Sequence, residues 1–184
     1  LPLNQIIHGD TLEVLKTIDR DSIDCVITSP PYWALRSYLP KNHPDKSKEI
    51  GLEPTFKEYL EKMFLVMQEI KRVLEPTGNL WLNMGDSYAS SGKIGGDFTF
   101  AGNISKEYQG RARTNDFQKK SLLGQPWRLA IKMIDEGGWI LRNDIVWAKQ
   151  IYLHSERRTK GSVMPTSVKD RFNNSYEHLF HFVK

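Results

Sequence analysis

Ser29-Pro30-Pro31-Tyr32-Trp33 follows directly on the run Ile23-Asp24-Cys25-Val26-Ile27-Thr28. Two successive prolines supply no amide hydrogens and stiffen the chain. A corner built from them presents acceptors: the Ser29 hydroxyl and, beside it, the Pro30 carbonyl. Two neighbouring acceptors suit the hydrogens of an –NH₂ group on a planar ring. The Tyr32 ring can stack on that plane, a contact worth about 1–3 kcal/mol for a nucleobase. Two more polar pairs, Gly9-Asp10 and Gly85-Asp86, also close apolar stretches. Each alone reads as a turn. At successive strand ends, the three together point to one shared cleft, because ligands of open parallel sheets bind beyond the carboxyl ends of the strands.

The surrounding pattern supplies such strands. Asn4–Asp10 reads as a short strand ending in a turn, with His8 a strand residue, and Leu12, Leu15 and Ile18 follow at near-helical spacing. Ser22–Thr28 is a β-branched run bounded by turn residues. Residues 34–47 are polar and broken by Pro40 and Pro44, hence loop. The clearest helix begins at Thr55, which forms a capping box with Glu58. Phe56, Leu60, Met63, Met67, Ile70 and Leu74 give it one apolar face, and Pro76-Thr77-Gly78 stop it. Asn79–Met84 is the next strand. Residues 87–125 hold no steady period and are expected to form a long mobile loop, uncommon in a compact domain unless functional or disordered. A helix then runs from Pro126 to Gly137 with Trp127, Ala130, Ile131 and Ile134 on one face, and Trp139–Lys149 is a strand with a bend near Asn143-Asp144. A basic loop, 149–171, precedes a closing strand at Tyr176–Val183. Strands alternating with helices predict an α/β domain with a mostly parallel sheet, its last strand free to pair antiparallel. No internal repeat is visible.

The chain has 184 residues, enough for one domain with a real core, and no apolar run of bilayer-spanning length. Cys25 is the single cysteine, so an intrachain disulfide and a multi-cysteine metal site are excluded and a cytoplasmic setting is expected. The formal net charge is +4, but residues 106–120 carry +3 and 149–171 carry +4, leaving the remainder at −3. Two basic segments on an otherwise acidic chain suit a polyanion such as nucleic acid, or two solvated loops. Ser90–Asp97 glances at a phosphate loop but lacks the full Gly-x₄-Gly-Lys-Ser/Thr spacing.

The Ser-Pro-Pro-Tyr corner resembles the signature of the amino-methylating DNA methyltransferases, which transfer a methyl group from S-adenosylmethionine to the exocyclic nitrogen of cytosine or adenine. The likeness extends, in the family's order, through HGDTLEVLKTI, IDCVITSPPYW, EIKRVLEPTGNLWLNMGDSY, GQPWRLA, GGWILRNDIVWAK and MPTSVKDRFNNSYEHLFHFVK, and is weakest over 34–50, 87–120 and 150–162. It implies a Rossmann-like methyltransferase sheet, restriction-modification type activity on double-stranded DNA, and a flipped target base. It assigns Ser29, Pro30, Pro31 and Tyr32 to catalysis, and Asp10, Thr28, Ser29, Pro30 and Asp86 to the cofactor. Asp10 has the alternative, or additional, role of helix N-cap, and Asp86 that of a turn residue. DNA contacts fall to Trp33, Arg36, Arg111, Arg113, Lys119, Lys120, Arg157, Arg158 and Lys160; phosphate contacts of this kind position the duplex without reading its sequence. Serine in the first motif position, with Trp33 after Tyr32, favours cytosine N4 over adenine N6. Cytosine C5 chemistry needs an exposed cysteine nucleophile, whereas Cys25 reads as a buried strand residue. No metal is implied. A DNA-binding or inactive subunit, or a protein or RNA methyltransferase with a related corner, is the alternative.

One family element is missing from this sequence: a Phe-x-Gly-x-Gly-like turn for the methionine end of the cofactor. The expectation is that a C-terminal segment or a second chain carries it, with two strands between that of Ile6-Ile7 and that of Val26-Ile27. This chain alone is then expected to bind cofactor poorly and to methylate little.

Overall fold

The computed structural model describes residues 4–40, 42–89, 117–161, 163 and 169–184. Its elements are α1 (Thr11–Lys16), β1 (Ile23–Thr28), α2 (Phe56–Val73), β2 (Leu74–Met84), α3 (Gln125–Asp135), β3 (Ile140–Ala148), β4 (Gln150–Leu153), β5 (Arg158–Gly161) and β6 (Tyr176–Val183).

The helix starts follow from local chemistry. Asp10 caps α1, its Oδ1 accepting from the Leu12 and Glu13 amides at 3.1 Å each. Thr55 and Glu58 close the expected capping box on α2, the Glu58 amide meeting Thr55 Oγ1 at 3.2 Å and the Thr55 amide meeting Glu58 Oε2 at 2.9 Å. Pro126 sits in the first turn of α3.

The main sheet has the order β1-β2-β6-β3. β1 and β2 are parallel, while β6 lies antiparallel between β2 and β3. Three strands therefore share one direction and the last in sequence opposes them, as the alternating pattern predicted. Leu80, Leu82 and Met84 of β2 and Phe180 and Phe182 of β6 point to one face, where Tyr59, Met63, Met67 and Ile70 of α2 and Leu129, Ala130 and Met133 of α3 close the core. The expected bend in β3 is a register shift between Leu141 and Asn143.

Several expectations are corrected. Residues 4–10 form no strand, and Ile6 is fully exposed: with no neighbouring strand beside it, the segment has nothing to pair with. The buried stripe of α3 is Pro126-Leu129-Ala130-Met133, whereas Trp127, Ile131 and Ile134 are exposed to 38–50%. Both stripes are apolar, so periodicity could not choose between them; packing on Phe180 and Phe182 did. β2 begins directly after α2, and Pro76-Thr77-Gly78 lies within it, opposite an irregularity in β1. Cys25 is exposed, not buried, because β1 is an edge strand and the face that also carries Ile27, 78% exposed, is open. The basic loop contains an antiparallel ribbon, β4 against β5, turned through residues 154–157. Gly161 makes its closure possible: at φ +88° a Cβ there would stand 2.1 Å from the Lys149 carbonyl oxygen. Among the described residues, no helix is long and apolar enough to cross a membrane.

Candidate active site

Thr28 of β1 pairs with Leu82 of β2, and Met84 pairs with His178 of β6. Ser29–Trp33, Gly85-Asp86 and the Tyr176 end of β6 therefore emerge on one rim of the sheet, with the Ala148 end of β3 beside Tyr176. Ser29 is exposed there, and Pro30, Pro31 and Tyr32 are half-buried. Burial, and after it the Glu177 carboxylate, push the Tyr32 phenol above its ordinary range, while hydrogen bonding from Ser29 and the Gly85 backbone pulls the other way. The aromatic ring lies so close to Gly85 that a Cβ there would stand 3.0 Å from Tyr32 Cε2 and 3.2 Å from Glu177 Cγ. Only a bare α-carbon lets ring, carboxylate and backbone share that space.

Tyr32 is held from beneath by its own two peptide groups. The Pro31 carbonyl accepts from the Tyr59 hydroxyl of α2 at 3.0 Å. The Trp33 amide donates to Gln125 Oε1 at the start of α3, at 2.9 Å. Burial and, second, the Glu53 charge push the Tyr59 phenol far up, so it stays a donor throughout the working pH range. Gln125 is fully buried, and its Nε2 donates to Ser87 Oγ at 2.6 Å.

The predicted residues do not all serve as expected. Trp33 is a correction: it is 1% exposed, donates Nε1–H to the Glu53 carbonyl and packs edge-on against Phe56, so it belongs to the core and cannot lie against DNA. Asp86 reaches the rim, but its carboxylate accepts from the amides of Ser87 (2.8 Å), Gly124 (2.9 Å) and Gln125 (3.2 Å), which ties α3 to the strand end. Asp10 is the N-cap of α1. Arg36, Lys119 and Lys120 are exposed, and Lys120 pairs with Asp170. Arg157, Arg158 and Lys160 belong to the ribbon, where Glu156 pairs with Arg158 and, at 3.5 Å, with Lys160. Arg111 and Arg113 lie outside the described residues.

Three residues of this rim escaped the sequence reasoning: Tyr59, Gln125 and Glu177. Tyr59 was one more apolar-face position of a helix, and Glu177 one more position of an alternating strand. Gln125 carried a faint signal, a polar residue next to a helix-starting proline. Glu177 is joined to Lys149 at 2.8 Å, and the Lys149 ammonium lies 3.6 Å from the Trp147 ring centroid.

The DNA methylase family model, which covers N6 and N4 methyltransferases, matches residues 23–184, from the first residue of β1 past the end of β6. The chain belongs to this family. Among relatives of this DNA methylase, the type II methyltransferase M.XycI of Xanthomonas campestris pv. cyanopsidis is 38% identical over 97% of the chain, and M.Cfr9I of Citrobacter freundii is 39% identical over 97%. In each case the match takes up 54% of the relative, so the chain spans about half the length of the curated relatives it matches. The fold is shared with PvuII DNA methyltransferase (cytosine-N4-specific), at TM-score 0.55 and 20% identity over 95% of this chain and 47% of that one. It is shared equally with a DNA modification methylase of Thermus thermophilus, solved in complex with S-adenosyl-L-methionine, at TM-score 0.55 and 19% identity over 96% and 53% of the two chains.

Proposed function

We propose that this DNA methylase carries the catalytic half of a restriction-modification type enzyme that methylates the exocyclic amine of a flipped base in double-stranded DNA, cytosine N4 in preference to adenine N6. One observation carries the proposal: an exposed Ser29 hydroxyl beside a clamped Tyr32 ring at the carboxyl rim of a methyltransferase-like sheet. Ser29 Oγ and the Pro30 carbonyl accept the amine hydrogens and draw its lone pair out of conjugation, which favours the tetrahedral nitrogen of the transition state. Tyr32 stacks on the base and offsets part of the few kcal/mol that extrusion costs. S-adenosylmethionine, when bound, supplies the electrophilic methyl group. Thr28, Ser29, Pro30 and the Asp10 carboxylate are the residues of this chain that would border it; Asp86, with both oxygens engaged by amides, serves by holding α3 in place. The preference for cytosine N4 rests on Ser29, since Trp33 is withdrawn into the core.

Arg36, Lys119, Lys120 and the ribbon residues Arg157, Arg158 and Lys160 would meet phosphates on either side of the rim. The open edge of β1 and the open face carrying Ile27 suit a complementary portion, from the same or a second chain, bringing further strands and the glycine turn. The relatives' greater length supports this.

The test supplies the assembled enzyme with labelled S-adenosylmethionine and unmethylated DNA of varied sequence, then identifies the methylated nucleoside. N4-methylcytosine is expected, and Ser29→Ala abolishes it. N6-methyladenine would reassign the base. Product on C5, or label on protein or RNA alone, would overturn the proposal.

A further inference from the structure

Both peptide groups that flank Tyr32 are hydrogen-bonded to side chains buried completely in the core, Tyr59 on one side and Gln125 on the other. The two come from different helices. Gln125 does more than accept from the Trp33 amide: its own Nε2 is bound to Ser87 Oγ, and its backbone amide to Asp86. A single buried side chain thus links the Ser-Pro-Pro-Tyr corner after β1 to the Gly85–Ser87 turn after β2. A fully buried amide is expensive unless each of its polar atoms is satisfied, and here both are. An apolar residue would fill the same volume without that cost, so packing alone does not explain a glutamine at this position.

We propose that Gln125 and Tyr59 are positioning residues for methyl transfer, setting the height and tilt of the Tyr32 ring and, through it, the aim of Ser29 and the Pro30 carbonyl. The clamp rests on the methyl-transfer function proposed above. Neither residue touches the base; both act through the backbone of Tyr32. Gly51 completes the seat: its carbonyl accepts from the Ala34 amide at 2.7 Å, and at φ +95° a Cβ there would stand 3.0 Å from the Tyr32 carbonyl oxygen.

The experiment compares wild type, Gln125→Met and Tyr59→Phe in the assembled enzyme, by steady-state kinetics and by hydrogen exchange at individual amides. Gln125→Met keeps the volume but leaves the Trp33 amide and Ser87 Oγ without their partner; Tyr59→Phe removes one oxygen. In Gln125→Met the Trp33 amide exchanges at least about tenfold faster, with the α2 amides unchanged. In both variants kcat falls about 10- to 100-fold, the range expected when reacting groups lose alignment, while KM for S-adenosylmethionine stays within about twofold. Unchanged kcat in both variants, beside an active wild type, would overturn the positioning role. So would faster exchange throughout the core with kcat and KM worsening together, which marks a purely structural residue. A wild type that methylates no DNA would instead defeat the methyl-transfer function, and the exchange data at Trp33 would still decide whether the clamp exists.

Discussion

Asp86→Ala separates a structural from a cofactor role for the acid at the β2 end. The carboxylate holds three amides, Oδ1 meeting Ser87 and Gln125 and Oδ2 meeting Gly124. Each lost bond to a charged acceptor is worth about 1.5–3 kcal/mol, and removal of a helix-capping carboxylate costs about 0.5–2 kcal/mol. Asp86 is half-buried, so water replaces part of what is lost. Taken at the low end, the three bonds sum to about 2–4 kcal/mol, or a fall in Tm of roughly 5–15 °C for a domain of this size. Asp86→Asn retains the Oδ1 bonds but turns an –NH₂ toward the Gly124 amide, and loses about half as much. Urea and thermal unfolding of the three proteins measure both values. An Asp86→Ala protein within about 0.5 kcal/mol of wild type, the spread of ordinary surface substitutions, would refute the anchor; if its S-adenosylmethionine affinity fell at the same time, the carboxylate would belong to the cofactor.

Gly85→Ala places a methyl group 3.0 Å from Tyr32 Cε2. Methylation activity should then drop about tenfold with a stability loss of only about 1 kcal/mol, read from kcat and from denaturant unfolding. Alkaline titration should expose Tyr59: its folded phenol lies above the ordinary value of 10.0, so beyond that pH the unfolded chain releases its proton first, binds fewer protons than the folded one, and stability declines as pH rises. Tyr59→Phe should flatten that decline, as unfolding curves between about pH 9 and about pH 11 will show. Thr55→Ala, which breaks the α2 capping box, should cost about 1 kcal/mol in denaturant unfolding and leave the rim intact. Replacing Arg157 and Arg158 together by Ala should weaken DNA binding similarly for all sequences. It should also reduce the salt slope by about 1 for each phosphate no longer neutralised, as binding isotherms at several salt concentrations will report.

Much of the fold was legible because it is written in short-range patterns. The Thr55–Glu58 box, the apolar face of α2, the Asp10 cap and the alternation of β6 all arise from residues within a turn or two of one another. The corner at Ser29 was legible for the same reason: two prolines, a hydroxyl and an aromatic ring are adjacent in the chain. Expectations failed where the deciding partner is remote. Asn4–Asp10 has strand character but no strand beside it. The α3 residues present two apolar stripes, and only the position of Phe180 and Phe182 selects one. Cys25 has a core residue's neighbours in sequence and an edge strand's exposure in space.

By itself the sequence determined the chemistry on offer and the strand end that offers it, because hydroxyl, prolines and ring are consecutive and their spacing survives any arrangement of the rest. It also determined the sense of the sheet, since helical crossovers demand parallel neighbours and the helix-free return to Tyr176–Val183 permits an antiparallel one. Tertiary structure alone decided what holds that chemistry still. Trp33 turns inward, Asp86 binds amides across a separation of 38 and 39 residues, and Gln125 meets Trp33 across 92. Hydrogen bonds of that range depend on how two helices settle on one sheet, and no local period in the chain encodes where their buried polar atoms will meet.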